Sequence, residues 1–221
     1  MATYDLQEQE QIEELKTWWR MHGNTITAIF VAMAVAVVGW QGWQWWQSRQ
    51  AAQAAQIYAG LQQALMQRDV KQVRQHAGEL IDRHAGTTYA GMAALLAGKV
   101  LAESGDLKSA QAQFGWATDK AKDAGLRELA RLRQAIVLAD DQSPDAALKL
   151  LTNPPTSALR ARYFEVRGDI LLSQGNTGEA RQAYEEALKA LEESRKASGL
   201  PAGPYADILA AKRDAAAGGQ S

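Results

Sequence analysis

From Met21 to Ser48 the chain carries no aspartate, glutamate, lysine or arginine. The middle of this stretch, Ile26-Thr-Ala-Ile-Phe-Val-Ala-Met-Ala-Val-Ala-Val-Val-Gly39, is apolar almost throughout. About 20 such residues in a helix are enough to cross the hydrocarbon core of a bilayer. Trp18 and Trp19 precede the apolar run, and Trp40, Trp43, Trp45 and Trp46 follow it. Tryptophan favours the membrane–water boundary, where both its ring and its N–H are accommodated. A buried core helix would explain the apolar run but not an aromatic belt at each end. A cleaved signal peptide has a short basic head and a shorter apolar stretch. Here the first 20 residues hold five acids against Lys16 and Arg20. The pattern predicts an uncleaved anchor over 23–48, although Ala51-Ala-Gln-Ala-Ala55 imitates a cleavage site.

Beyond the anchor the apolar positions follow a helical period, and three segments resemble one another. They are Ser104-Gly-Asp-Leu-Lys-Ser-Ala110, Gln142-Ser-Pro-Asp-Ala-Ala147 and Gln174-Gly-Asn-Thr-Gly-Glu-Ala180. Aligning Ala110, Ala147 and Ala180 gives spacings of 37 and 33 residues. A helix–turn–helix unit of about 34 residues is the tetratricopeptide period. Small residues let paired helices approach, and a bulky residue fills the remaining gap. The predicted packing set is Gly98, Ala110 and Phe114 in one unit, Ala135, Ala147 and Leu151 in the next, and Gly168, Ala180 and Tyr184 in the last. The middle unit stops at Asn153-Pro-Pro155. Residues 51–84 read as a further helix pair, broken near Gln67-Arg-Asp-Val70, that fits the pattern poorly, as terminal repeats often do. After Ser198-Gly199, Pro201 and Pro204 precede a short cap helix over Tyr205–Arg213, with Ala215–Ser221 expected to fray. The fold class expected is all-α: a single N-terminal transmembrane helix followed by a tetratricopeptide-like helical array. The divisions are an acidic amphipathic segment over 1–22, the span over 23–48, the array over 49–199, and the cap helix with its tail over 200–221.

Charge refines this picture. Of the chain's 24 bases and 25 acids, residues 49–221 hold 22 and 20. So even a balance leaves no polybasic surface for nucleic acid. In the head, Asp5 and Glu8 resemble a helix-starting box, and Ile12, Leu15 and Trp19 share one face, so the segment reads either as a short amphipathic helix at the membrane surface or as a solvated, disordered tail. Lys16 and Arg20 against Arg49 lean towards a cytoplasmic N-terminus, because lysine and arginine stay on the inner side of a span. Chemistry is sparse. With no cysteine, disulfides and thiol catalysis are excluded. His22, His76 and His84 are the only histidines, and no carboxylate pair brackets them at metal-ligand spacing. No phosphate loop or nucleotide fingerprint appears. The expectation is no enzyme activity, no cofactor, no metal and no small-molecule substrate.

Binding remains. Ala28, Ala32 and Ala36 recur on one face of the anchor, a spacing that lets membrane helices touch closely, or that simply fills an apolar helix. Gln41, Gln44 and Gln47 run beside Trp40, Trp43 and Trp46, so this end of the helix is amphipathic, with one side suited to lipid headgroups and the other to a protein partner or water. A stacked array presents a concave face built from its first helices. Met92, Leu95, Leu96 and Lys99, and Glu165, Val166 and Asp169, are the candidate lining positions.

The assembled chain resembles the ancillary SecYEG translocon subunits of Gram-negative inner membranes, the YfgM family. The likeness runs over the acidic head from Tyr4 to Trp19, the anchor ending Gly39-Trp-Gln-Gly-Trp43, and Arg167-Gly-Asp-Ile-Leu-Leu-Ser-Gln-Gly175. It implies a periplasmic array and association with the SecYEG translocon and the folding factor PpiD. A chaperone-like or adaptor role towards unfolded proteins leaving the channel follows. The alternative is an assembly scaffold for an envelope or division complex. A likeness of this kind carries no catalytic residues.

Overall fold

The computed structural model describes residues 2–155, 158–199 and 203–218, with side chains from Ile12 onward. The described residues form helices and connecting turns, without a strand. Two compact units divide near Gln50. The first unit contains the head and the apolar segment, both on helix α1, Ala2–Met66. No break separates head from span within it. Among the described residues α1 is the helix long and apolar enough to cross a membrane. The 26 residues of the 23–48 segment would extend about 39 Å as a helix, enough for the hydrocarbon core. The Asp5 and Glu8 side chains, on which the starting box rested, lie outside the described residues.

The second unit begins with the last turns of α1 and continues through α2 (Val70–His84), α3 (Thr88–Glu103), α4 (Leu107–Lys120), α5 (Ala124–Asp140), α6 (Pro144–Leu150), α7 (Arg160–Ser173), α8 (Thr177–Ser198) and α9 (Pro204–Gly218). Four hairpins follow, each joined by the same turn. In the last three, the left-handed position is held by Gly105, Gln142 and Gly175. At each of these, the next residue's N–H reaches back to the carbonyl five residues earlier: Asp106 to Leu101, Ser143 to Leu138, Asn176 to Leu171. In the first hairpin Arg68 holds the left-handed position, and the Asp69 N–H reaches Ala64. This turn satisfies the carbonyls left open at a helix end and normally uses glycine. The residue after it then starts the next helix. Asp69 and Asp106 accept from the Gln72 and Ser109 N–H groups at 3.0 and 3.1 Å. Residues 51–84 are thus a fourth copy of the hairpin, with arginine in place of glycine.

Side chains tie each second helix to the turn of the following unit. Arg74 of α2 meets Asp106 at 2.7 Å, Gln111 of α4 donates to Asp141 at 2.9 Å, and Gln174 donates to Asp145 of α6 at 3.0 Å. Helix α6 has only seven residues, because Pro154 and Pro155 follow shortly after it and cannot continue a helix. Its last turn is satisfied from outside: the Tyr163 hydroxyl donates to the Leu150 carbonyl at 2.7 Å. The C-terminal helix is longer than the sequence pattern indicates. It runs to Gly218 rather than Arg213, and Ala216, expected to fray, is 1% exposed. Gly219–Ser221 lie outside the described residues.

Candidate functional site

Hairpin packing follows from small residues against rings. A Cβ built on Gly98 would lie 2.7 Å from the Phe114 ring, and one on Gly168 2.6 Å from the Tyr184 ring. Both distances are below van der Waals contact, so glycine is required for these helix pairs to sit at this separation. Ala110, Ala117, Ala180 and Ala187 complete the two contacts and are fully buried. In the middle unit Ala135, Ala147 and Leu151 lie in one core cluster with Tyr163, Val166 and Ile170.

The first unit presents the opposite surface. Ala28, Ala32 and Ala36 are exposed along α1, as are Trp18, Trp19, Trp40, Trp43 and Trp46. Trp18 stacks on His22 with ring centroids 5.3 Å apart. The Arg49 guanidinium lies 4.1 Å over the Trp45 ring, a cation–π contact.

The predicted groove lining divides. On α3, Lys99 is exposed, and Met92 and Leu96 are half-buried. Leu95 is only 5% exposed and belongs to the core cluster that includes Ala130 and Val137 of α5. On α7, Val166 is 3% exposed within the cluster with Leu132 and Ala135. Neither Leu95 nor Val166 lines an open groove. The reason is that α3 and α7 are contacted on more than one side, so a single-face reading of either helix assigns core positions to its surface.

Glu165 is not open either, and the half-buried Asp169 is engaged by Lys212 of α9. Glu165 is 2% exposed and receives three donors: Lys212 at 2.7 Å, the Tyr205 hydroxyl at 2.6 Å, and Arg162. Lys212 also donates to both Asp169 oxygens at 2.8 Å, and Asp169 accepts from the Tyr184 hydroxyl at 2.9 Å. Burial alone would raise the Glu165 carboxyl. Its donors Lys212, Tyr205 and Arg162 outweigh that and hold it below the ordinary range. Burial works against the Lys212 charge, and Asp169 with Glu165 overcomes it and raises the ammonium. Burial first, then the Glu165 carboxylate, pushes the Tyr205 phenol up. Tyr184 is raised by burial and by Asp169. This hydrogen-bonded network helps to hold α9, which also buries Leu209 and Ala216. Arg162 stands three residues before Glu165 on α7, a local ion-pair spacing, whereas Tyr205 and Lys212 carry no local sequence signal. Lys212 lies 47 residues beyond Glu165, and no helical period connects them.

An open cleft does exist elsewhere in the array. It has a volume of about 670 Å3 and is lined from the end of α1 by Leu65, from the turn by Arg68, from α2 by Val70 and Val73, and from α3 by Leu96, Lys99 and Val100. Glu103 and Ser104 close one end. Leu96 and Lys99 are the predicted groove residues that the structure brings to it. Leu65, Val70 and Arg68 were missed, because the first hairpin departs from the repeat pattern. Among the described residues no cluster of histidine and carboxylate side chains comes together as a metal site.

A family model described as a tetratricopeptide repeat-like domain matches residues 16–217. A similar curated protein is the ancillary SecYEG translocon subunit of Haemophilus influenzae, 29% identical over 184 residues, which are 83% of this chain and 90% of the relative. The protein of the same description from Aggregatibacter actinomycetemcomitans is 28% identical over 83% of this chain and 90% of its own length. That from Escherichia coli strain K12 is 26% identical, over 82% and 87% respectively.

Proposed function

Because the chain belongs to the tetratricopeptide repeat-like domain family, we propose that its array is a protein-binding module held at the inner membrane beside the Sec translocon. The 23–48 segment is the anchor, the N-terminus is cytoplasmic, and residues 49–221 are periplasmic. The module acts as a chaperone-like or adaptor subunit for proteins emerging from the channel, with the SecYEG complex and PpiD as partners. The observation that carries this reading is the likeness to ancillary SecYEG translocon subunits over 83% of the chain. Two features support it. The apolar part of α1 exposes its side chains all round, which suits lipid and not water. The array offers an open cleft, and among the described residues no cluster of histidine and carboxylate side chains comes together as a metal site. A tether raises the local concentration of such a module around whatever leaves the channel.

The test is copurification from membranes in mild detergent, together with suppression of aggregation of a denatured model protein by the full chain. Recovery of the translocon with active suppression supports the reading. Recovery without suppression reduces it to a scaffold, and failure of both removes it. Orientation is read separately with Ser173→Cys. An impermeant thiol reagent labels it once the outer membrane is opened. Labelling only after the inner membrane is broken reverses the assignment.

A further inference from the structure

The buried glutamate cluster is unavailable, since α9 occupies it. The small hollow between α7 and α8, lined by Phe164, Arg167, Glu179, Gln182, Ala183 and Glu186, holds only about 150 Å3. The cleft between the end of α1 and α3 is larger, and its walls are chemically lopsided. Leu65, Val70, Val73, Leu96 and Val100 supply an aliphatic surface.

Charge at the mouth selects what the cleft accepts. Lys99 pairs with Glu103 at 3.6 Å, so their charges offset each other. Among the described residues the Arg68 guanidinium has neither an ion pair nor a hydrogen bond. The cleft is therefore aliphatic within and carries one uncompensated positive charge at its edge. A fork of five N–H donors on a planar guanidinium matches a carboxylate.

Resting on the chaperone-like or adaptor reading above, we propose that this cleft binds a protein segment that places bulky aliphatic side chains against Leu65, Leu96 and Val100 and a carboxylate on Arg68. A segment carrying lysine in place of that acid is disfavoured, because it meets Arg68 with like charge. Arg68 also allows a clean variant. It holds a left-handed backbone position, φ 55°, that Gly105 and Gly175 fill in two equivalent turns. Arg68→Gly removes the charge while easing the backbone, so lost binding cannot be ascribed to lost folding.

The experiment uses the full chain in lipid nanodiscs and two fluorescent peptides. Each carries two leucines one helical turn apart, followed by aspartate in one and lysine in the other. The expected result is tighter binding of the aspartate peptide, a preference that falls about fivefold in Arg68→Gly, as for an exposed ion pair. Leu96→Asp weakens both peptides. Unchanged preference in Arg68→Gly, or unchanged affinity in Leu96→Asp, overturns the assignment. The same variants in the aggregation assay separate the two readings. Full suppression by both variants moves client binding elsewhere on the array and overturns the cleft. A parent chain that fails to suppress, yet binds the aspartate peptide through Arg68, keeps the cleft and removes the chaperone role.

Discussion

Helices α3 and α7 occupy equivalent places in their hairpins, seventy residues apart from Gly98 to Gly168. In that register Leu95 of α3 corresponds to Glu165 of α7, and Lys99 to Asp169. Leu95 is buried with α5 residues in an aliphatic cluster. Glu165 is equally buried, but beneath α9, with its charge answered by Lys212, Tyr205 and Arg162. The helix that follows each hairpin is thus received in two different ways, by apolar contact alone at Leu95 inside the array, and at its end by buried Leu209 and Ala216 together with an ionic network. Apolar contact is tolerant of small shifts. A buried carboxylate accepts only a partner that brings donors to its oxygens, and leaving it unanswered is costly. The last helix adds a buried, paired carboxylate to the apolar contact it shares with the internal ones.

The comparison can be broken most forcefully at the rings common to both hairpins. Tyr184→Ala and Phe114→Ala should each cost about 3–5 kcal/mol, because each empties the gap beside a glycine. Urea midpoints in micelles would read this. Losses well below that range would mean that the helices close over the gap.

Next in size is Lys212→Met, with an expected cost of about 2 kcal/mol, since Arg162 and Tyr205 still serve Glu165. The loss should be confined to α9. Hydrogen exchange should quicken over 204–218 and stay unchanged in α3 and α4. Adding Glu165→Gln should restore part of the stability, because it removes the carboxylate in excess when Glu165 and Asp169 are left with Arg162 alone. Uniform exchange along the array would show that α9 is no separate element.

Acidity sharpens the same contrast. Glu165 is held below its ordinary range, so its contribution is present above about pH 4.3 and is lost as pH falls through the native value. Lys212 and Tyr205 are raised, so theirs are full below about pH 10 and disappear as pH climbs beyond it. Docking of α9 should therefore weaken at both extremes, while the α3–α5 contact stays level. A fluorophore on α9 would follow this directly, and a flat profile would remove the ionic account.

A smaller effect is expected from Gly168→Ala, about 1.5 kcal/mol, because its methyl group meets the Tyr184 ring. The smallest is Arg68→Gly, a gain of at most about 1 kcal/mol from relief of the left-handed backbone. A loss of stability in this variant would assign Arg68 a structural partner.

How much of this was legible beforehand varies with the range of the interactions. The anchor is written in composition, since charge is absent from a run long enough to span. The hairpins with Gly105-Asp106 and Gly175-Asn176 are written in the turn itself. The first hairpin is legible as a helix pair broken near Gln67-Arg-Asp-Val70, but not as a copy of the repeat, because Arg68 holds the left-handed place that glycine takes in two other turns. Leu95 and Val166 were placed on a groove because periodicity finds one apolar stripe, whereas α3 is packed on several sides. The fit of α9 was the least legible. Its alanine-rich sequence offers little amphipathic signal, and its position depends on Lys212 finding carboxylates two helices back.

The links Arg74–Asp106, Gln111–Asp141 and Gln174–Asp145 join only consecutive units. Under tension such an arrangement behaves as springs in series. Every junction carries the whole load, and the weakest yields alone. Helix α6, seven residues long and followed by two prolines, offers the shortest interface to its neighbours. A pull across the array would extend there first and leave the α3–α4 and α7–α8 hairpins folded on either side, so that the domain lengthens by one measured step before it gives way.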